Sequence, residues 1–357
     1  MKITEDEVFS VLQDLTIDSG VGIDSVSALG ALDYAGLPGW YAAGLPEAEQ
    51  SEPYIHHFPD GNSTIARKLV CRLIPDLVSG NSLENLITAK LDYELLDDPR
   101  NDVSVRLNST VINVQNNKSA GGTVTVSYVR DNQLEKVSAS KCILACNSNV
   151  IPFICPELPD KQKEALAFQV KVPILYTNVA VKNWEAWKNL GIGAMVCPGS
   201  YHIVSMLDFP VTYGNYEFSR NEREPIVIHM ERFPHSYGSN LSAREQYKLG
   251  RYELLTTPFE TIERNVREQL ESSLSEGGFN AAKDILGITV NRWSHGYSYW
   301  YNPLFDPIYD DYNDSRYPHI IGRKKYGNIT IANADSAANA MLESAIEEAY
   351  RAVSELI

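Results

Sequence analysis

The chain has 357 residues, enough for about two domains by length alone, and at 44% hydrophobic and 22% charged it has the composition of a globular protein rather than a disordered or fibrous one. Its 31 Lys and Arg stand against 46 Asp and Glu, a formal net charge of −15 that repels a phosphate backbone, and its densest basic cluster, residues 323–325, reads as a solvated turn; no nucleic-acid partner is expected. No apolar run approaches the ~18 residues that cross a bilayer, and the acidic start "MKITEDEVFS" lacks the basic and apolar regions of a secretion signal, so the expected compartment is the cytoplasm.

In chain order, residues 5–15 read as a short helix. The Gly- and Pro-rich "GLPGWYAAGLPEAEQSEP" beyond it forces loops, so residues 1–50 are expected to form a lid or wrapping arm. In "FPDGNSTIARKLVCRLIP", Asp60, Asn62 and Ser63 are capping types, and Ile65, Leu69, Arg72 and Leu73 recur at helical spacing before Pro75 stops the helix. Such a helix start is equally suited to plain capping and to holding an anion or a polar group of a substrate.

Three strand-like runs follow. "VSVRLNSTVINVQ" and "GGTVTVSYVRD" read as a hairpin, and "EKVSASKCILACN" ends in a run apolar enough to be buried on both faces. Cys142 and Cys146 in that run would need two further ligands to hold a metal, so no metal is expected; the five cysteines, an odd number among apolar neighbours, read as free thiols. Residues 51–149 and 326–357 are assigned to one unit and residues 150–325 to a second, α+β layer, with strands in "VPILYTNVAVKNW" and "PIVIHMERF" and a charged helix in "PFETIERNVREQLESSL". The C-terminal segment reads as a short strand, a loop of small residues and an amphipathic helix with Met341, Ile346, Ala349, Val353 and Leu356 on one side.

Rings concentrate in "TVNRWSHGYSYWYNPLFD", residues 289–306. If "RWSHGYSYWY" is a strand, Trp293, His295, Tyr297, Tyr299 and Tyr301 project from one face, while Ser294, Gly296, Ser298 and Trp300 take the other. A core-facing aromatic sheet and a pocket wall both fit this pattern.

The combination of "EPYIHHFPDGNSTIARKLV", "LNSTVINV", "LACNSNVIPFICPELPDKQKEAL", "GRYELLTTPFETIERNVREQL", "GGFNAAKDILGITVNRWSHGY" and "GNITIANADSAANAMLESAIEEAYRAVSEL" resembles the C-terminal three-fifths of FAD-dependent amine oxidoreductases, specifically the spermidine dehydrogenase family. The resemblance implies an α/β chain: part of an FAD/NAD(P)-binding fold of the glutathione reductase and amine oxidase type, joined to an α+β substrate-binding domain. It also implies FAD as cofactor and a small-molecule amine, polyamine-like or otherwise amino-bearing, as the substrate oxidised by hydride transfer to flavin. Members of the family begin with a βαβ unit whose G-x-G-x-x-G turn grips the pyrophosphate, and this sequence has none. The nearest string, "GIGAMV" at Gly191, has Val at the third Gly position and runs into Cys197 and Pro198 instead of a helix. A second subunit carrying the G-x-G-x-x-G Rossmann half is therefore the expected partner, and an export signal on that partner would move the pair to the periplasm. A truncated chain and a flavin-free scaffold subunit are the other readings of the same gap. A flavin-dependent desaturase or oxidase of a modified or carrier-bound amino acid in secondary metabolism is the alternative activity.

Within that resemblance, His295, Tyr297 and His57 are the candidates for orienting or deprotonating the amine, because a His titrating near neutrality can take that proton. Trp293, Tyr299, Asp60 and His229 are candidates for substrate contact. The resemblance assigns the adenine to the backbone of Val111, and the pyrophosphate and flavin to Ala332, Asn333, Asp335, Asn339, Met341 and Leu342. It places Asp335 near the ribityl chain and the start of the last helix near the flavin's pyrimidine edge. Met341 and Leu342 stand where relatives tend to carry Tyr and a small polar residue.

Overall fold

The computed structural model describes residues 6–27, 44, 58–80, 82–117 and 122–357. The chain opens with α1 (Asp6–Gln13) and a 3-10 stretch to Ser19. This arm is tied to the body by polar contacts: the Tyr247 hydroxyl donates to the Ser19 carbonyl at 2.5 Å, and Gln246 Nε2 donates to Ser25 Oγ at 2.8 Å.

Helix α2 (Ser63–Leu73) starts at Asn62, which makes no side-chain cap; Asp60 serves the first turn instead, accepting from the Thr64 hydroxyl. The residues at helical spacing do not form its packed side. Leu69 and Leu73 are 57% and 53% exposed, and the packed side is Val70 and Cys71 against Ile74, Leu77 and Leu96. Helix α3 (Leu83–Thr88) follows, capped by Ser82 Oγ on the Asn85 amide at 3.0 Å.

The hairpin is part of a three-stranded antiparallel meander, β1 (Thr110–Asn117), β2 (Thr123–Arg130) and β3 (Gln133–Ala139). The third expected strand is in fact two. β3 is largely exposed, and only after a break at Ser140 and Lys141 does β4 (Cys142–Leu144) begin. Nor is β4 buried on both faces, since Ile143 is 39% exposed. Its partner comes from the far end of the sequence: β10 (Ile329–Ile331) runs parallel to it, Ile329 opposite Cys142 and Ile331 opposite Leu144. Two strands are all that this parallel sheet has among the described residues, few for an arrangement that normally has both faces covered.

After α4 (Ile151–Ile154) and α5 (Asp160–Phe168), the chain builds a five-stranded antiparallel sheet from β5 (Val172–Val181), β6 (Ala194–Val196), β7 (Val204–Leu207), β8 (Ile226–Arg232) and β9 (Ile285–Tyr297), in the order β6-β7-β8-β5-β9. "GIGAMV" joins the C-cap of α6 (Glu185–Leu190), with Gly191 at φ +70°, to β6. That is helix then strand, the reverse of a phosphate-gripping turn. Helices α7 (Ala243–Thr256) and α8 (Phe259–Leu274) follow β8, and α9 (Ala281–Asp284) leads into β9. Helix α8 lays Ile262, Val266, Leu270 and Leu274, spaced four apart, on one face of the sheet with Leu175, Val179, Ile228 and Met230. The opposite face of β5 and β8 carries Tyr176, Asn178 and His229.

A short helix, α10 (Pro318–Gly322), precedes β10, and α11 (Leu342–Ser354) ends the fold. Its apolar side is turned largely outward: Met341, Ile346 and Val353 are 50%, 41% and 44% exposed, joined by Tyr350 at 75%, and only Leu356 of the expected set is buried. The inward residues are Ser344, Glu348 and Ala352, because Glu348 is paired to Arg323 at 2.5 Å and to Arg351 at 2.8 Å. No described helix is long and apolar enough to cross a membrane.

Candidate functional site

The aromatic stretch does not alternate as one strand to Tyr301. A bulge opposite Val172 and Ile174 interrupts β9, the strand ends at Tyr297, and the rings beyond it separate. Tyr299 goes into the core at 1% exposure, its hydroxyl donated to Asp306 and its pKa driven up by burial, then by the charge and hydrogen bond of Asp306. Trp300 turns outward, 65% exposed.

Tyr297, Trp300 and Tyr301 form one wall of a cavity of about 300 Å³; the arm supplies Ser19, Val26 and Ser27, and the opposite rim is the run 338–341 that leads into α11. Tyr297 is fixed by its hydroxyl, 3.0 Å from that of Tyr176, and by stacking on Phe233 at 6.1 Å. The opposite rim is held by Tyr312, whose hydroxyl donates to the carbonyl of Ala338, a non-glycine residue at φ +47°. Met341, the N-cap of α11, makes no side-chain cap, and Asn339 Nδ2 bonds Ser344 Oγ at 3.0 Å. The amides of the first turn of α11 thus lack a side-chain cap beside the pocket.

Behind the pocket lies a charged group that periodicity does not reveal. Ser298, a buried pocket residue, has its Oγ 3.4 Å from Lys171 Nζ, and Lys171 pairs with Asp335 Oδ1 at 2.7 Å. The other oxygen of Asp335 accepts the Ser148 amide at 3.0 Å. Arg251 donates from Nη2 to the Lys171 carbonyl at 3.1 Å, and its Nε is buried without a partner. His295 falls within the field of this group: burial first, then the charges of Arg251 and Lys171, hold its pKa below the ordinary value, so at neutral pH the ring is the free base.

Tyr297, Asn339 and Met341 thus meet in one pocket, Asp335 pairs with the lysine behind Ser298, and His295, its Nδ1 2.9 Å from Ser294 Oγ, is not among the lining residues. The other candidates lie elsewhere. Trp293, 53% exposed, meets Tyr176 edge to face at 6.5 Å, and His229 sits 5.0 Å from the Tyr176 ring, bonded to Asn178 and Glu231, so both belong to the sheet face opposite α8. Asp60 serves the start of α2, 3.6 Å from Arg67, and Val111 lies on β1, 38% exposed, beside a register shift. Ala332 is buried and extends the parallel pair, its amide on the Leu144 carbonyl at 3.0 Å. Asn333 caps a 3-10 turn through the Ser336 amide, and Leu342 opens α11 half-buried. His57 lies outside the described residues. Lys171, Arg251 and Ser298 were not among the sequence candidates; the one visible signal was a lysine alone in the apolar run "FQVKVPIL".

No protein-family model matches the sequence, and no curated protein matches it. Among solved structures, a cyclohexylamine oxidase from Brevibacterium oxydans is similar with a TM-score of 0.44 at 11% identity, over 69% of this chain and 47% of its own. A putrescine oxidase double mutant redesigned in its cofactor binding is similar with a TM-score of 0.44 at 14% identity, over 98% of this chain and 74% of its own. The chain spans about half the length of the first. Likenesses at this level leave the chemistry to be argued from the chain's own side chains.

The residues fit a flavin in part. The flat-walled pocket beside an uncapped helix start suits the ring, whereas Asp335, 1% exposed with both oxygens engaged, offers little to a ribityl chain. Among the described residues, no group of three or more His, Cys, Asp or Glu could hold a metal.

Proposed function

We propose that the chain is the substrate-binding subunit of a flavin-dependent amine oxidoreductase, with the Rossmann half that grips FAD supplied by a second polypeptide. The observation that carries this reading is the single pocket in which Tyr297, Trp300 and Tyr301 face the uncapped start of α11. When bound, FAD would accept the hydride from the carbon bearing the amine. Asn339, Met341 and the first amides of α11 would hold its ring, while the aromatic wall keeps the substrate flat and excludes water. His295, a neutral ring set back from the lining residues, would take up through solvent the proton that the ammonium must lose before the amine reacts as the free base.

Two features support an external completing half: a parallel sheet of only two strands among the described residues, and the outward apolar stripe of α11. The closed Lys171–Asp335 pair favours a second reading, a flavin-free scaffold subunit, because it satisfies internally the carboxylate assigned to the cofactor. Co-expression with the polypeptide encoded beside it separates the two. A yellow complex bleached anaerobically by an amine supports catalysis; a colourless complex assigns the chain to the scaffold.

A further inference from the structure

Among the described residues, the walls of the pocket are aromatic, aliphatic or neutral polar, and no described Asp, Glu, Lys, Arg or His lines it. A polyamine carries several ammonium groups, and a site for it would need carboxylates to offset their desolvation. The nearest charges have the opposite bias. Lys171 lies 3.4 Å behind Ser298 and Arg251 bonds the Lys171 backbone, while Asp335 is the acid that offsets them. Arg244 and Asp306, 3.7 Å apart, offset each other. Among these described groups one positive charge, that of Arg251, is therefore left in excess, and its buried Nε donor has no acceptor.

Resting on the reading of this pocket as a substrate site, we infer that it takes a ligand with a flat apolar body and one carboxylate, an amino-acid-like amine, and excludes polyamines. The body lies along Tyr297 and Trp300, and the carboxylate accepts from the Ser298 hydroxyl toward Lys171 and Arg251. A zwitterionic amine brings its own anion to the positive end, while its ammonium meets aromatic faces until its proton is lost.

The test is calorimetric titration of the full chain, without flavin, with 3-phenylpropanoate, benzylamine and spermidine. Phenylpropanoate is expected to bind about tenfold or more tighter than benzylamine, since a hydrogen-bonded ion contact is at stake, and spermidine is expected to give no saturable signal. Arg251→Gln removes the carboxylate preference, and Trp300→Ala, at a side chain 65% exposed and so safe for folding, weakens both aromatic probes. Spermidine or benzylamine binding as tightly as phenylpropanoate, or a preference that survives in Arg251→Gln, overturns the inference. Because flavin is absent from the titration, a colourless co-expressed complex would refute the catalytic reading without touching this result.

Discussion

Lys171 and Asp335 meet at 2.7 Å with side chains 9% and 1% exposed, so removing either charge strands the other in a medium that solvates it poorly. Lys171→Met should destabilise the chain by about 3–5 kcal/mol in urea unfolding, and pairing it with Asp335→Asn should recover part of that loss; a single variant as stable as the parent would show the pair to be weak. A second ion pair ties the arm down. Asp14 contacts His235 at 3.2 Å, and although burial opposes protonation of His235, its hydrogen bond and charge interaction with Asp14 raise its pKa above the ordinary value. The pKa of Asp14 is lowered despite burial, through His235 and the Gly199 amide. A raised His pKa gives stabilisation that is full below its unfolded value and fades as pH rises through the folded one; a lowered Asp pKa gives stabilisation that is lost as pH falls through its own folded value. The protection of residues 14–27 against hydrogen exchange, taken relative to the intrinsic base-catalysed rate, should therefore be greatest in mildly acidic buffer and fall toward alkaline pH, and His235→Gln should flatten that fall. Little of this was legible in the sequence. Lys171 stood out only as a charge in an apolar run, and its acid partner lies 164 positions away, beyond the reach of periodicity.

Among the elements, β5, β8 and α8 were legible because alternation and four-residue spacing reflect directly which face is buried. β9 was legible only as far as its bulge. There Gly296 permits close passage: a Cβ would come 2.7 Å from Ile174 Cγ2 and 3.0 Å from the Val172 carbonyl. Gly296→Ala should cost about 1–3 kcal/mol by overpacking, measured by thermal melt, and an unchanged melt would show that the bulge can give. The apolar stripes of α2 and α11 were visible as spacing, but not the direction in which they face, which is largely outward. Periodicity reports that a helix has an apolar side, not that this chain supplies what covers it, and in α11 the arginine pair on Glu348 claims the inner side. Ile346→Glu with Tyr350→Glu should leave the isolated chain within about 0.5 kcal/mol of its original stability, as exposed sites do, yet abolish assembly with the completing half. Assembly that survives both changes would place the interface elsewhere.

Across the whole molecule, one parallel ladder joins residues 142–144 to residues 329–331, and the five-stranded sheet is built from the sequence between them. The sequence assigned residues 51–149 and 326–357 to one unit without showing this pairing, and it offered the aromatic stretch as a pocket wall without showing what faces it, because the walls converge from the arm, the end of β9 and the start of α11. Under the proposed function, this pocket works on a flavin held by another polypeptide. The most direct test is the visible spectrum of the co-expressed complex, before and after anaerobic addition of an aromatic amino acid. A bound-flavin band that bleaches is expected, and with His295→Gln it should bleach more slowly while the flavin stays bound. A complex without that band, or a band that no amine reduces, would contradict it.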